Sequence, residues 1–504
     1  MKKIYSILSV CVAAVLFASC DMNLTPKTSI SYDPDGQLIQ TSANLTAFET
    51  GILARFRSMV SGDYEQVEEV MMDGFNATIS FGNRYGDVHR SNNTFNSSNS
   101  YIEGIWAGYY TALKDYNILI AALDNVPEEL KDAAAVVQGE AYFFRAYTYL
   151  QLARHWGKAY SSTASTDLCV PLVLKYDQLE KPERATVEAV YTAIGKDLEK
   201  AEELLADVPG ALRSPKPTID AVYALQARYY LDLKDYDKAL ECAQKVIESS
   251  AGYAISSTAE EMTAEYTDDK GKEAIFQVYV NISGEMPNSK SFFTYNNQNA
   301  EKVEVYGPDY LPSKVLLDSY SEGDLRKAAW FTDSKHPVEF NSVPYTGLFS
   351  VFIKFEGNPA LTTSLLNGSN APKPLKIGEM YLIAAEAALQ GSAGAGTAAQ
   401  YLNELQSKRK ALRSDATMEN IKKEWFRETV GEGLRLSCLK RWGDGFGARA
   451  AQAGALRSNI VMTGEYYEQR SMTATDRAFV WPIPNYEIKV NTNLKQNDGY
   501  AVSE

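Results

Sequence analysis

The chain has 504 residues, 45% of them apolar and 23% charged, with 50 Lys and Arg against 64 Asp and Glu for a formal charge of −14. That balance repels phosphate backbones and argues against nucleic acid as a partner. Three histidines, His89, His155 and His336, leave almost nothing from which to build a His-rich metal site or a zincin helix. Tyrosine is unusually frequent, 32 against 19 Phe and six Trp, and its hydroxyl lets an aromatic ring work at a wet surface.

Lys2 and Lys3 precede an apolar run from Ile4 to Ala18, too short for an ordinary spanning helix and suited to a signal-peptide core. The run ends Leu16-Phe17-Ala18-Ser19-Cys20, small residues before a cysteine, as in a lipobox that turns the cysteine into the acylated first residue of the mature chain. The expectation is a signal segment over 1–19, lipidation at Cys20, a Pro-, Ser-, Thr- and Asp-rich tether over 20–40, and one body over 41–504. Losing Lys2 and Lys3 takes the charge to −16. No other stretch approaches the roughly 20 apolar residues of a span, so lipid is the expected membrane anchor. Cys169, Cys242 and Cys438 remain, an odd number without CxxC spacing. This excludes a disulfide framework or zinc ribbon and leaves one pairing open. Cys242 and Cys438 read as small buried hydrophobes.

The first helix is expected near Ala43 to Val60, followed over 74–100 by a Ser-, Gly- and Asn-rich excursion of the kind that carries binding loops. Helical period then takes over from Ile102. Val187, Val190, Tyr191, Ile194, Leu198, Ala201, Leu204 and Leu205 form the apolar stripe of an amphipathic helix. Tyr223, Ala227, Tyr230, Tyr236, Ala239, Ala243 and Val246 fall at the positions of a tetratricopeptide-type repeat, with Lys234-Asp235 at its turn. One repeat cannot bury its own faces, so others must stack on it. Tyr142 to Trp156 with Val187 to Leu205, and Met380 to Leu389 with Ala398 to Lys408, read as further pairs. Residues 252–375 lose the helical period and show short β-like runs, Ala274 to Val280 and Leu348 to Phe355. The fold class is therefore mainly α. Tetratricopeptide-like repeats over 102–250 and 376–443 carry a loop-rich, mixed part over about 74–100 and 252–375.

Six segments then stand in a telling order. They are Gly139-Glu140-Ala141-Tyr142-Phe143-Phe144-Arg145-Ala146-Tyr147, Arg184-Ala185-Thr186-Val187 through Tyr191, the repeat over Thr218 to Ile247, and Glu379 to Ala387. Glu432-Gly433-Leu434-Arg435 through Lys440-Arg441-Trp442-Gly443 follows, and Trp481-Pro482-Ile483-Pro484 with Asn493-Leu494-Lys495-Gln496-Asn497-Asp498-Gly499-Tyr500 closes the chain over 479–500. Together they resemble the SusD/RagB family of Bacteroidetes outer-membrane nutrient-binding lipoproteins. The resemblance implies about four tetratricopeptide-like units and a lipid-anchored protein of the outer membrane that faces the cell exterior. It implies capture of a glycan, or in some members a peptide, and delivery to a SusC-like TonB-dependent transporter over which the lipoprotein acts as a lid. His155-Trp156-Gly157-Lys158-Ala159 and Cys438 depart from the family pattern at positions that read as structural.

An enzyme reading fares less well. A glycosidase needs two carboxylates facing across a sugar. Glu428, Glu432 and Arg435 are expected on one helical face, and Glu140 lies five residues before Arg145, but ion pairing between packed helices is the expectation for both sets. No GxSxG, HExxH, P-loop or GxGxxG stands at a strand-to-helix junction. Asp33-Pro34-Asp35-Gly36 and Asp268-Asp269-Lys270-Gly271 are too short for an EF-hand loop, and neither a metal nor a cofactor is called for.

Sugar binding needs an exposed aromatic platform with polar groups at its edge. Three loop clusters supply that mixture: Asn83-Arg84-Tyr85 with Asp87 and His89, Phe292 to Asn297 followed by Tyr306, and Trp330-Phe331-Thr332-Asp333. Tyr85, Tyr295 and Trp330 are the expected platforms, with Asn83, Arg84, Asn296 and Asp333 as edge hydrogen-bonders. The resemblance likewise implies a ligand site assembled from an early loop and the middle region. Trp106, Trp156, Trp425, Trp442 and Trp481 are expected in the core. Glycan binding leads; the alternatives are oligopeptide binding on the same architecture, a tetratricopeptide scaffold for a protein partner, and a glycoside hydrolase.

Overall fold

Helix starts in this chain are set by short polar side chains. Thr41, Asn99, Thr186, Thr218, Asp235, Thr258 and Thr417 each stand one residue before a helix and accept a backbone N–H of its first turn, satisfying a donor that has no partner within the helix. The computed structural model describes residues 38–281, 293–294, 296–298, 301–332, 337–345, 349–362, 365–366 and 368–502. The expected signal segment, Cys20 and most of the tether, with Tyr295, Asp333 and His336, lie outside the described residues.

Helices α1 (Ser42–Arg57) and α2 (Asp63–Met71) lead to strand β1 (Phe75–Ala77) and the short helix α3 (Gly86–Arg90). Helices α4 (Ser100–Leu123) and α5 (Lys131–Trp156) follow, then the antiparallel ladder of β2 (Leu168–Pro171) and β3 (Arg184–Thr186). Helices α6 (Val187–Leu204), α7 (Ile219–Leu233) and α8 (Tyr236–Ile247) complete a run in which each helix packs on the one before it. The repeat expected at Thr218 to Ile247 is the pair α7 and α8. Lys234 makes the turn in the left-handed region, its N–H returning to the carbonyls of Tyr230 and Leu231, and Asp235 caps α8. Ala227, Ala239 and Ala243 are fully buried where the two helices meet, while Tyr223, Tyr230 and Tyr236 pack half-buried around them.

The middle of the chain holds more helix than its lost period predicts. Helix α9 (Ala259–Thr267) precedes strands β4 (Ala274–Phe276), β5 (Asn296–Gln298), β6 (Glu304–Tyr306) and β7 (Tyr310–Pro312). Helices α10 (Lys314–Ser319) and α11 (Leu325–Trp330) and strands β8 (Phe331–Thr332), β9 (Val338–Phe340), β10 (Val343–Tyr345) and β11 (Val351–Phe352) come next. These helices span two turns or so, too few for a 3.6-residue period to register. The strands form a four-stranded sheet in the order β10-β9-β6-β5 and two-stranded ladders, among them β1 with β7.

Strand β12 (Leu375–Lys376) then returns the chain to the repeats: α12 (Ile377–Gln390) pairs with α13 (Gly394–Lys408), and α14 (Met418–Glu428) and α15 (Arg435–Trp442) follow. The expected single helical face carrying Glu428, Glu432 and Arg435 is corrected here. Helix α14 stops at Glu428, and Gly431 and Gly433 take φ of +79° and +65°. A Cβ on Gly431 would sit 2.5 Å from the Phe355 ring, so chain direction and close packing both demand glycine. The three side chains therefore part company. Glu428 takes Arg409 and Arg326, Glu432 takes Lys354 and Lys376, and Arg435 pairs with Asp73 at 2.8 Å. Although burial raises carboxyl pKa values, Lys354 and Lys376 outweigh it and hold Glu432 down at about 2, so neither glutamate is poised as a proton donor. Arg145 reaches Asp197 on α6 at 2.6 Å instead of Glu140, whose carboxyl burial pushes up to about 8.

The last segments, α16 (Ala453–Arg457), α17 (Asn485–Val490) and the tail, lock the early helices. Trp156 donates its indole N–H to the Pro482 carbonyl at 2.9 Å, His155 stacks on Trp481 with centroids 4.1 Å apart, and Asn497 donates to the carbonyls of both Trp156 and Trp481. Arg184 donates to Asn497 Oδ1 at 2.6 Å. The family-like signatures at both ends of the chain thus meet in one knot. Cys169, Cys242 and Cys438 are free and buried. Asp269 accepts from Lys373, Asn358 and the Ala371 N–H, bracing the loop around Asp268 to Gly271. Among the described residues no helix is long and apolar enough to cross a membrane.

Candidate ligand-binding face

Strand β1 pairs antiparallel with β7, Ala77 opposite Tyr310, and the chain leaving it is pinned on both sides. Thr78 N–H donates to Asp309 O at 2.9 Å, Ile79 N–H to Ile460 O at 2.7 Å, and Met462 N–H to Ala77 O at 2.8 Å. Beyond these bonds the loop turns sharply. Gly82, Asn83, Tyr85 and Ser91 all have φ between +45° and +61°. Facing it, Asn341 and Ser342 are both left-handed and join β9 to β10 as a two-residue hairpin, which is the turn geometry that strand twist favours. Asn341 N–H donates to Ser80 Oγ at 2.8 Å, tying hairpin to loop. Five of the eleven non-glycine residues with positive φ among the described residues lie in this loop and hairpin, and such conformations persist where surrounding structure over-determines them, as at ligand sites.

The result is an exposed polar face. Asn83, Arg84, Asn341 and Ser342 are exposed. Arg84 donates to Asp309 at 3.1 Å, and Arg90 donates to Asn83 Oδ1 at 3.0 Å, to Asp87 at 2.8 Å and to the Tyr467 hydroxyl at 3.1 Å. Burial raises the Asp309 carboxyl to about 6 against the pull of Arg84. Tyr467, which also packs its ring against Phe81, is preceded along the chain by Tyr466, 39% exposed. Fixed amide, guanidinium and carboxylate groups beside a tyrosine ring are suited to a ligand rich in hydroxyls.

Beneath the face lies a buried strut. Arg449 is fully buried and donates to the carbonyls of Val70, Met72, His89 and Tyr467. His89 Nδ1 lies 2.7 Å from Val70 O, and the Ala77 N–H points at Nε2. Burial and then Arg449 depress the His89 pKa well below the usual imidazole range, so this histidine is a neutral brace rather than an acid or base.

Two expected platforms are corrected. Tyr85 is 5% exposed, its ring against Tyr101 and its hydroxyl 2.7 Å from Asp63 and 2.9 Å from Gln66 on α2. Trp330 is 2% exposed and faces the Lys354 ammonium, 4.0 Å from its centroid. Both rings fill space under loops and offer no face to solvent. Asn296 opens β5 opposite Tyr306; Tyr295 and Asp333 are not among the described residues. Asn83 and Arg84 are exposed on this face. Asp309, Arg90, Asn341 and Arg449 escaped the sequence reading. Of these, Asn341-Ser342 between two apolar-alternating runs carried a recognisable turn signal.

Stacked helical pairs bearing a loop-built polar face define a helical repeat protein with an elaborated surface. Residues 32–231 match a family model described as starch-binding associating with outer membrane, and residues 254–500 match the model of the SusD family. The chain belongs to the SusD/RagB family. It is 24% identical over 544 residues to SusD-like protein P2 of Formosa agariphila, covering 99% of this chain and 100% of the relative. A SusD superfamily protein from Bacteroides thetaiotaomicron has the same fold, with a TM-score of 0.74, 22% identity, and coverage of 90% of this chain and 99% of that one. A laminarin-binding SusD-like protein follows at TM-score 0.69 and 20% identity, covering 92% and 100%.

Proposed function

We propose that this chain is a lipid-anchored outer-membrane protein that binds glycans at the cell exterior and hands them to a SusC-like TonB-dependent transporter. The observation that carries the binding role is the exposed, strain-held face of Asn83, Arg84, Asn341 and Ser342, whose amides and guanidinium match sugar hydroxyls. Family membership and the laminarin-binding relative support a glycan as the ligand class. Glu428 and Glu432, the carboxylates first weighed for hydrolysis, are spent in buried ion pairs, which favours binding without chemistry. Cys20 is the proposed lipid attachment point.

Calorimetry of the purified chain against plant, algal and host glycans tests the ligand class. Heat is expected from at least one, lost in the double variant Asn83→Ala/Arg84→Ala. Heat from oligopeptides alone would transfer the same face to peptide capture. Native purification from the membrane is expected to retain a TonB-dependent transporter, and Cys20→Ala is expected to release the chain from the membrane fraction. Even a millimolar dissociation constant, about 4 kcal/mol, serves a tethered protein meeting a repeating polymer.

A further inference from the structure

The six tryptophans divide unevenly. Trp106, Trp156, Trp330, Trp425 and Trp481 are at most 3% exposed. Trp442, expected in the core, is the exception and is only partly buried. Its indole N–H donates to buried Glu386 at 2.9 Å, and Arg441 holds the other oxygen of that carboxylate at 3.0 Å, so the ring is fixed in place. It lines an open cleft of about 700 Å³ between α10, α14 and α15. Phe426 and Leu439 form an apolar floor, and Val315 stands 41% exposed at the edge.

Around that apolar surface run paired charges. Lys422 meets Asp444 at 2.6 Å and Lys423 meets Glu419 at 2.6 Å, all four side chains accessible to solvent, while Asp318 is held by Lys314. The rim is thus close to neutral, which disfavours a phosphate or a polyanion. Arg441 and the Lys422 ammonium lie over the indole, 5.3 and 5.4 Å from its centroid, so a pyranose entering the cleft would swing the solvent-accessible Lys422 aside, lay its C–H face on the immobilised ring and turn its hydroxyls toward the rim. None of the lining residues belongs to the face around Asn83 and Arg84.

We propose that this cleft is a second carbohydrate site, taking neutral oligosaccharides with Trp442 as platform and Asp444, Lys422 and Asp318 as hydroxyl partners. The inference rests on the glycan reading of the proposed function. Two separate sites on one tethered chain would grip a polymer more firmly than either alone.

The test uses the full chain labelled with fluorotryptophan, in a detergent without sugar headgroups, followed by fluorine NMR. Trp442→Phe assigns the Trp442 signal. Fragments of laminarin, starch, xylan and mannan serve as probes. The Trp442 signal is expected to shift and saturate with at least one of them, and to do so equally in Asn83→Ala/Arg84→Ala. Asp444→Ala, a change on the exposed rim that leaves the packing intact, is expected to weaken that titration about fivefold. A fragment that binds by calorimetry while the Trp442 signal stays still would overturn the second site and leave the proposed function standing. So would a Trp442 response to peptides alone. A Trp442 signal that stays still with every fragment would likewise overturn the second site, whereas the proposed function falls only when the whole panel of plant, algal and host glycans gives no heat.

Discussion

Arg84 reaches across 3.1 Å from an exposed loop to Asp309, a carboxylate whose side chain is 12% exposed. The two residues are 225 positions apart, so the pair reports directly on how the early loop is seated against the middle of the chain. It also sets a pH dependence. An unfolded aspartate titrates near 4, whereas in the fold burial carries Asp309 to about 6. The folded state binds this proton more tightly, so the group's contribution to stability is full below about pH 4 and is lost as pH rises through about 6. Asp309→Asn removes the titration. The thermal midpoint of the variant, relative to the parent chain, is expected to climb between pH 4 and 6 and then level off, by the equivalent of about 3 kcal/mol. Glu69, which burial raises to about 7, acts in both proteins and cancels. A difference that stays flat with pH would show that Asp309 titrates normally.

Gly431 and Gly443 share a left-handed backbone at φ +79° and +70°, but only Gly431 is crowded, by Phe355 and Phe352. An added Cβ at Gly443 meets nothing within 4 Å. Gly443→Ala is expected to cost about 1 kcal/mol, the conformational term alone. Gly431→Ala adds overpacking and is expected to cost about 3 kcal/mol or more. Urea unfolding of both variants checks this, and equal losses would mean that the phenylalanines yield without strain.

The contrast between repeats and face explains what the sequence could reveal. Val187 to Leu205 and Tyr223 to Val246 announce themselves because an amphipathic helix writes its burial into a local period. Tyr85 does not, since what buries it is Asp63 and Gln66 on α2, some twenty residues back. Trp330 is claimed by Lys354 in the same way. Arg84 and Asn83 were legible as loop polars, while their setting depends on Asp309, Ile460 and Asn341, partners no window of sequence brings together. Trp442 sits in a signature segment and so reads as core, yet its side chain lines a cleft that only the packing of α10 against α14 creates.

Asn497 donates to the carbonyls of Trp156 and Trp481 at 3.1 and 2.7 Å and accepts from Arg184. Asn497→Ala leaves two buried carbonyls without these donors and takes from Arg184 one of its four acceptors, the others being the carbonyls of Leu168, Cys169 and Lys495, at a cost of about 2–3 kcal/mol. The tail should loosen before the repeats do. Limited trypsin digestion is expected to cut at Lys489 or Lys495 in the variant well before any site in α7 or α8. Cleavage of tail and repeats at matched rates would instead make the tail part of one cooperative unit with them.

Arg449 is the residue on which the polar face around Asn83 and Arg84 rests. No carboxylate reaches it among the described residues; its donors go to main-chain carbonyls on α2, on α3 and at Tyr467, whose hydroxyl in turn meets Arg90. A cation so placed holds three segments in register, and its loss strands their carbonyls in a dry interior. Arg449→Met is expected to destabilise the chain by about 3 kcal/mol and, more tellingly, to do so locally. Amide hydrogen exchange should accelerate at residues 86–91 and 464–470 while α7 and α8 keep their protection, because segments open separately when their own contacts fail. Arg449→Lys, which keeps the charge but not the fork of donors, should fall between the two. Uniform acceleration across the chain would show that Arg449 serves global stability and leaves the seating of the face to its other bonds.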